Sequence, residues 1–144
     1  MPPILKSVLA VLGGVIVGFI VIFVVQNISS AMYSLPDGVG IDDRDALARA
    51  MSALPLGAFL LVLLSYAMGS FIGGWTAARH APASPVAHAI AVGGLLTIAG
   101  LMNLMAFRHP TWFIVLNVPE FVFFAWLGGL AGRPSVRPQP SAAT

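Results

Sequence analysis

Among the groups in this sequence that could do chemistry, Glu120 is the most costly to place. It stands in the stretch 112–131, where Asn117, Pro119 and Glu120 interrupt an otherwise apolar run. If that stretch crosses a bilayer, Glu120 lies about 12 Å deep at 1.5 Å per residue, close to the midplane. A charged side chain at that depth costs at least about 2.5 to 3.5 kcal/mol, so an ionisable residue there points first to a site. No lysine or arginine shares its depth, which leaves neutral groups as its partners. Depth counting on antiparallel spans supplies them: Asn103 at about 6 Å from the shared face, Asn117 at about 7.5 Å, Thr97 and Ser65 at about 15 Å and Tyr66 slightly deeper. Asn117 and Glu120 are three residues apart and are expected on one helix face. Pro119 removes a helical hydrogen bond and frees the carbonyl of Val115. The candidate midplane cluster is therefore Glu120, Asn117, Asn103, Thr97, Ser65 and Tyr66. It suits a proton or cation site of the kind small transporters use. It equally suits groups that satisfy one another and fix helix register, at roughly 0.6 kcal/mol per interhelical bond.

Other chemistries find no support. The chain has no cysteine, hence no disulfide, thiolate metal site or thiol nucleophile. His80 and His88 lack further ligands at coordinating spacing, so no metal is expected and interfacial histidine is the plainer reading. The glycine-rich stretches lie within apolar helices, with no strand before them and no Lys-Ser/Thr after, which removes phosphate loops. No hydrolase constellation is present, and neither an enzyme nor a cofactor is expected. A net charge of +2 from seven basic and five acidic residues forms no basic stripe for nucleic acid.

The elements that must hold these residues follow from where charges are missing. Of 144 residues, 58% are hydrophobic and only 8% charged, with mean hydropathy +0.94, against about a quarter charged in soluble domains. Four long stretches carry almost no charge, and each has the roughly 20 apolar residues that a bilayer core of about 30 Å requires of a helix. The fold class expected is all-α, a polytopic membrane protein: a four-transmembrane-helix bundle in one domain, 1–132, with spans at about 5–28, 54–78, 85–107 and 112–131. A soluble four-helix bundle would carry charged faces, which these stretches lack. Lys6, the apolar run and Ser29-Ser30-Ala31 have the layout of a signal peptide, but an apolar region of about 7 to 15 residues is usual there and the run 8–25 is longer, so a retained helix is expected.

The connections are short where they can be read. Ser84 before Pro85 suits an N-cap and first helical residue, and Pro110-Thr111 ends one span and caps the next. The longer first loop holds a Pro36-Asp37-Gly38 turn, then Asp42 as N-cap and Asp45 at the third position, opening a short amphipathic helix with Leu47, Ala50, Met51 and Leu54 on one side, or else a solvated N-terminal extension of the second span. Trp75, Trp112, Trp126 and Tyr33 read as interfacial anchors. Small-residue pairs provide close-approach faces: Gly14 and Gly18 on the first span, Gly69, Ser70, Gly73 and Gly74 on the second, Gly128 and Gly132 on the fourth. A cytoplasmic N-terminus would place Lys6, Arg79, Arg133 and Arg137 inside, against Arg44, Arg49 and Arg108, giving an N-in/C-in arrangement. The tail 133–144 is Pro-rich and expected to be extended.

The segment 54–132, especially Leu-Pro-Leu-Gly-Ala-Phe at 54–59, Gly69-Ser70-Phe71-Ile72-Gly73-Gly74, Asn103 and His109-Pro110-Thr111-Trp112, resembles a group of small four-span bacterial inner-membrane proteins without assigned activity. The resemblance implies the bacterial inner (cytoplasmic) membrane and a multi-pass topology, and supplies no reaction. Small multidrug exporters are similar in size and span count but carry their carboxylate in the first helix; here it sits in the fourth. The expected function is a non-enzymatic helix-packing or accessory protein, in contact with lipid and with a second copy or another membrane protein. The alternative is a small proton- or cation-coupled transporter using Glu120.

Overall fold

The structure, a computed structural model, describes residues 1–34, 42–106 and 109–134. All the regular structure among them is helical: α1 (Pro3–Met32), α2 (Arg44–Ser52), α3 (Leu56–His80), α4 (Pro85–Ala106) and α5 (Thr111–Ala131). Four of the five are long and apolar enough to cross a membrane. α2 is the short amphipathic helix. The Pro36-Asp37-Gly38 turn and nearly all of the tail lie outside the described residues.

Helix boundaries follow local chemistry. α1 opens on prolines, which lose nothing at a first turn whose N–H groups have no partner. It continues past residue 28, where a polar end was expected, because Asn27 Nδ2 donates to its own helix at Phe23 O (2.7 Å) and Tyr33 N closes the end on Ser29 O (2.8 Å). α3 runs 56–80 rather than 54–78, since Pro55 fixes its start and the polar Arg79 and His80 still form its last turn. The N-cap of α2 is Asp43, not Asp42: Asp43 Oδ1 accepts from Ala46 N at 2.9 Å. Thr111 is the first residue of α5 rather than its cap, a place taken by the extended Pro110.

Ser84 sits before Pro85 as expected, but caps with its backbone. Its φ is 45°, and its carbonyl accepts from Ala87 N, His88 N and the His88 ring nitrogen Nδ1 (3.0, 3.4 and 3.1 Å). The conformation is costly for a residue with a side chain, and more so before proline. The three donors converging on one carbonyl hold it there.

The four spans alternate in direction. α3 and α4 touch each other and form the middle of the bundle; α1 and α5 each pack on both, from opposite sides, and among the described residues do not touch one another. Apolar side chains gain little by leaving lipid for protein, so close dispersion contact has to hold such helices together. Glycines make that contact possible. A Cβ at Gly14 would lie 2.6 Å from Gly73 O and one at Gly73 2.6 Å from Gly14 O; Gly18 and Gly69 face each other in the same reciprocal way, at 3.0 and 2.7 Å. On the other side of α3, Gly74 lies against the Ala125 backbone, Gly128 against Phe71, and Gly132 against Trp75. Ser70, between these seams, is fully buried.

Val92, Leu96, Phe113 and Phe121 are the large, almost wholly buried core side chains. The outward surfaces of all four spans are apolar, with Ile16, Phe23, Ile98, Met102 and Phe123 well exposed, as a lipid-facing surface requires. Trp75, Trp112 and Trp126 stand on that surface, while Tyr33 lays its ring end over Gly57 at the start of α3.

Candidate functional site

The end of the bundle that carries the α1 N-terminus and the α3–α4 turn is the near end; α2, His109 and the end of α4 mark the far end. Polar groups gather toward the far end. Gln26, Ser29, Ser30 and Tyr33 recur at three- and four-residue spacing along the last turns of α1 and share a helix face. All four line a cleft of about 320 Å³, together with Asn103 and His109. That volume is at the small end of the roughly 300 to 1,000 Å³ typical of small-molecule sites.

α2 lies along this cleft. Its Leu47, almost fully buried, and Met51 contribute apolar lining, joined by Leu54, so the amphipathic helix turns its apolar side to the opening and keeps Asp45 and Arg49 exposed. The opposite wall is aromatic. Phe113 packs edge-on to Phe59 (centroids 5.6 Å apart), and the His109 ring stacks on Phe113 at 5.0 Å.

A second cleft, of about 240 Å³, lies deeper along α1 and α4. Phe19, Ile22 and Phe23 form one wall, Leu96, Ala99 and Gly100 the other, and Phe121 closes it. Gln26, Tyr66 and Asn103 line both clefts. Tyr66 is buried, its ring tilted against Phe121 with centroids 4.9 Å apart, and the Gln26 side chain meets its hydroxyl. Gln26 Nε2 also donates to Ser65 Oγ at 3.4 Å, while the Ser65 hydroxyl donates to Val62 O at 2.6 Å.

The six residues expected to form one midplane cluster are thus divided. Ser65, Tyr66 and Asn103 lie about the clefts, with Gln26 at their centre. Thr97 donates to Gly93 O of its own helix at 2.8 Å. Asn117 is 1% exposed behind Gly100, where its Oδ1 lies 3.5 Å from the place a Cβ would occupy, and its Nδ2 is buried without a hydrogen-bond partner. Glu120 is half-buried and lines neither cleft; its Oε2 is also buried without a partner, and it lies within electrostatic reach of Tyr66. Pro119 and Val115 both face outward, so the carbonyl freed by the proline belongs to the lipid-facing side of α5.

Sequence reading overlooked Gln26, Ser29, Ser30 and Tyr33 because it ended the first span near residue 28, and His109 because it stood in the connection between the third and fourth spans. The signal was present in the 26, 29, 30, 33 spacing, which is that of a helix and not of a loop.

Among the described residues, the lining of both clefts contains no carboxylate, lysine or arginine, and no three His, Cys, Asp or Glu side chains come together as a metal would need. His80 and His88 each bind a backbone carbonyl one turn earlier, Thr76 O at 2.9 Å and Ser84 O at 3.1 Å. The arrangement can offer hydrogen-bond donors and acceptors, namely two amides, two phenols, two hydroxyls and the His109 ring, next to an apolar slot. Compared with protein-family models, curated proteins and solved structures, the chain matches none.

Proposed function

We propose that this chain is a non-enzymatic accessory protein of the bacterial inner membrane, with cytoplasmic N- and C-termini, and that it holds a neutral amphiphile in the two far-end clefts. The observation that carries this reading is the sharing of Gln26, Tyr66 and Asn103 by both clefts. A molecule with a hydroxyl, ester or amide head meets hydrogen-bonding groups at that junction, while its tail lies along Phe19, Phe23 and Ala99 in the slot between α1 and α4. Neutral amides and a phenol recognise such a head without the cost of burying an unpaired charge. α2 covers the polar end.

Association with a second copy or another membrane protein is part of the proposal, but on a surface other than the glycine faces, because those faces are filled within the chain. A coupled transporter working through Glu120 is the second reading. The unpartnered Glu120 Oε2 and Asn117 Nδ2 favour it; the position of Glu120 away from both clefts favours binding instead.

The test is photolabelling of the full chain in detergent with a diazirine-bearing monoacylglycerol, followed by mapping of the adducts. Labels concentrated on Phe19, Phe23, Ala99 and Asn103, and lost when Ala99→Trp fills the slot, support the proposal. Labels spread evenly over the lipid-facing surface, or unchanged by Ala99→Trp, refute it.

A further inference from the structure

At the near end a groove of about 400 Å³ runs between α1 and α3, on the flank away from α4. Its lining is Met1, Lys6, Leu9, Ala10, Gly13 and Val17 from α1 with Thr76 and His80 from α3. We propose that this groove binds one anionic glycerophospholipid, with its phosphate at Lys6 and His80 and one acyl chain laid over Gly13. The site is separate from the far-end clefts and does not rest on their function.

Three observations converge on that occupant. The first is the division of the groove into a cationic mouth and an apolar floor. Lys6 and His80 are exposed at its opening, while the polar atom further in, Thr76 Oγ1, already donates to Ile72 O at 2.8 Å. The floor therefore asks nothing polar of a ligand. The second is length. From Lys6 to Val17 the helix rises about 16 Å, which is one half of a bilayer core of about 30 Å. An acyl chain of a single leaflet has that reach. The third is space: a Cβ at Gly13 would have nothing within 4 Å, so the glycine widens the groove where neither α3 nor α4 fills it.

Charge selects the headgroup. Among the described residues, the acids outside the spans, Asp42, Asp43 and Asp45, all lie at the other end of the bundle, so none of them competes for Lys6. Arg79 and Arg133 are exposed at the same end and add to the positive field without lining the groove. His80 adds a second polar contact. Its Nδ1 lies 2.9 Å from the Thr76 carbonyl, which can only accept, so that nitrogen carries the ring proton and Nε2 is left for the groove. An unprotonated Nε2 accepts from a headgroup hydroxyl, and a protonated one donates to phosphate. Phosphatidylcholine carries the same phosphate, so the choice between the two lipids rests on net charge, phosphatidylglycerol being anionic and phosphatidylcholine zwitterionic, and on the glycerol hydroxyls, which choline lacks.

The experiment is native mass spectrometry of the full chain, released from mixed micelles containing equal amounts of phosphatidylglycerol and phosphatidylcholine. The expected result is preferential retention of one phosphatidylglycerol, by about fivefold for the Lys6 charge and more with His80. The double variant Lys6→Gln, His80→Gln brings the two lipids to parity. Gly13→Leu, which enters open space and leaves helix packing alone, removes retention of both. Inorganic phosphate at the same concentration does not displace the lipid, because the acyl chain supplies most of the contact. Equal retention of the two lipids by the unaltered chain overturns the proposal. So does a preference that survives the double variant but vanishes in Arg79→Gln, Arg133→Gln, which marks general surface charge, and so does unchanged retention in Gly13→Leu. Displacement by inorganic phosphate overturns the lipid assignment in favour of a simple anion site.

Discussion

Gly73→Ala adds one methyl group to the seam between α1 and α3, and the structure states what that methyl meets. The new Cβ lies 2.6 Å from the carbonyl oxygen of Gly14, with the Gly18 Cα and Val92 Cγ1 each at 3.3 Å. Ordinary contact begins near 3.4 Å, so the shortfall is about 0.8 Å. The neighbour is backbone and cannot swing aside; the helices have to part. A gap of about 0.5 to 1 Å forfeits a quarter to a half of each dispersion contact across it, and overpacking a tight site costs about 1 to 3 kcal/mol. The Cα–H groups of Gly14, Gly18, Gly69 and Gly73, aimed at opposing carbonyls, lose contacts worth about 0.5 to 1 kcal/mol each. We expect a loss of about 2 kcal/mol, read as the midpoint of unfolding by sodium dodecyl sulfate in mixed micelles. Gly13→Ala, on the neighbouring position of α1 with open space for its Cβ, provides the control and should shift the midpoint little. Equal midpoints for the two variants would show that the seam yields without cost and that close approach does not hold the bundle.

Ser84→Gly should stabilise by roughly 1 kcal/mol in the same assay, because a residue with a side chain is strained at φ 45° and glycine is not; destabilisation would mean that the serine hydroxyl makes a contact of its own. Asn117→Leu replaces a buried amide whose Nδ2 has no partner with an apolar group of similar size, and should be neutral or stabilising by up to about 1 kcal/mol. A clear loss would reveal a water or ligand on that amide. Glu120→Gln keeps the shape and removes the titrating proton, so stability and monoacylglycerol labelling should be unchanged. Loss of pH-driven flux in proteoliposomes would instead establish the transporter reading.

The membrane spans were legible because charge is the scarce quantity. A polar residue near a span end is weaker evidence, since Asn27 bonds to a carbonyl of its own helix and the helix continues. That continuation moved Gln26 from the edge of a loop to the centre of the site. Spacing along the chain does not fix which way a side chain faces. Asn117 and Glu120 are three residues apart, about 4.5 Å along the axis, and their positions differ by about 60° around the helix. The rotation separates a side chain 1% exposed from one that is half-buried. Nor does spacing reveal which small-residue faces meet: each pair could have joined two chains, and the structure uses them within one.

Where the clefts lie follows from a gradient in side-chain size that the sequence carries openly. Along α3, the buried residues nearest the far end are Ala58, Phe59, Leu63, Ser65 and Tyr66, three of them large, and those nearer the other end, Gly69, Ser70, Gly73, Gly74, Ala77 and Ala78, are all small. α5 repeats the order, from Phe113, Asn117 and Phe121 to Ala125, Gly128 and Gly129. Small residues bring backbones together through the near half, and large ones hold them apart in the far half. Helices drawn together at one end and propped open at the other enclose space between their far ends. Irregular packing of large rings fills that space incompletely, and polar side chains at span ends reach into what remains. The tight half and the open half are therefore a single consequence of one arrangement of residues. α2 sits at this opening, where its Leu47 and Met51, with Leu54 just after it, line the cleft with apolar side chains.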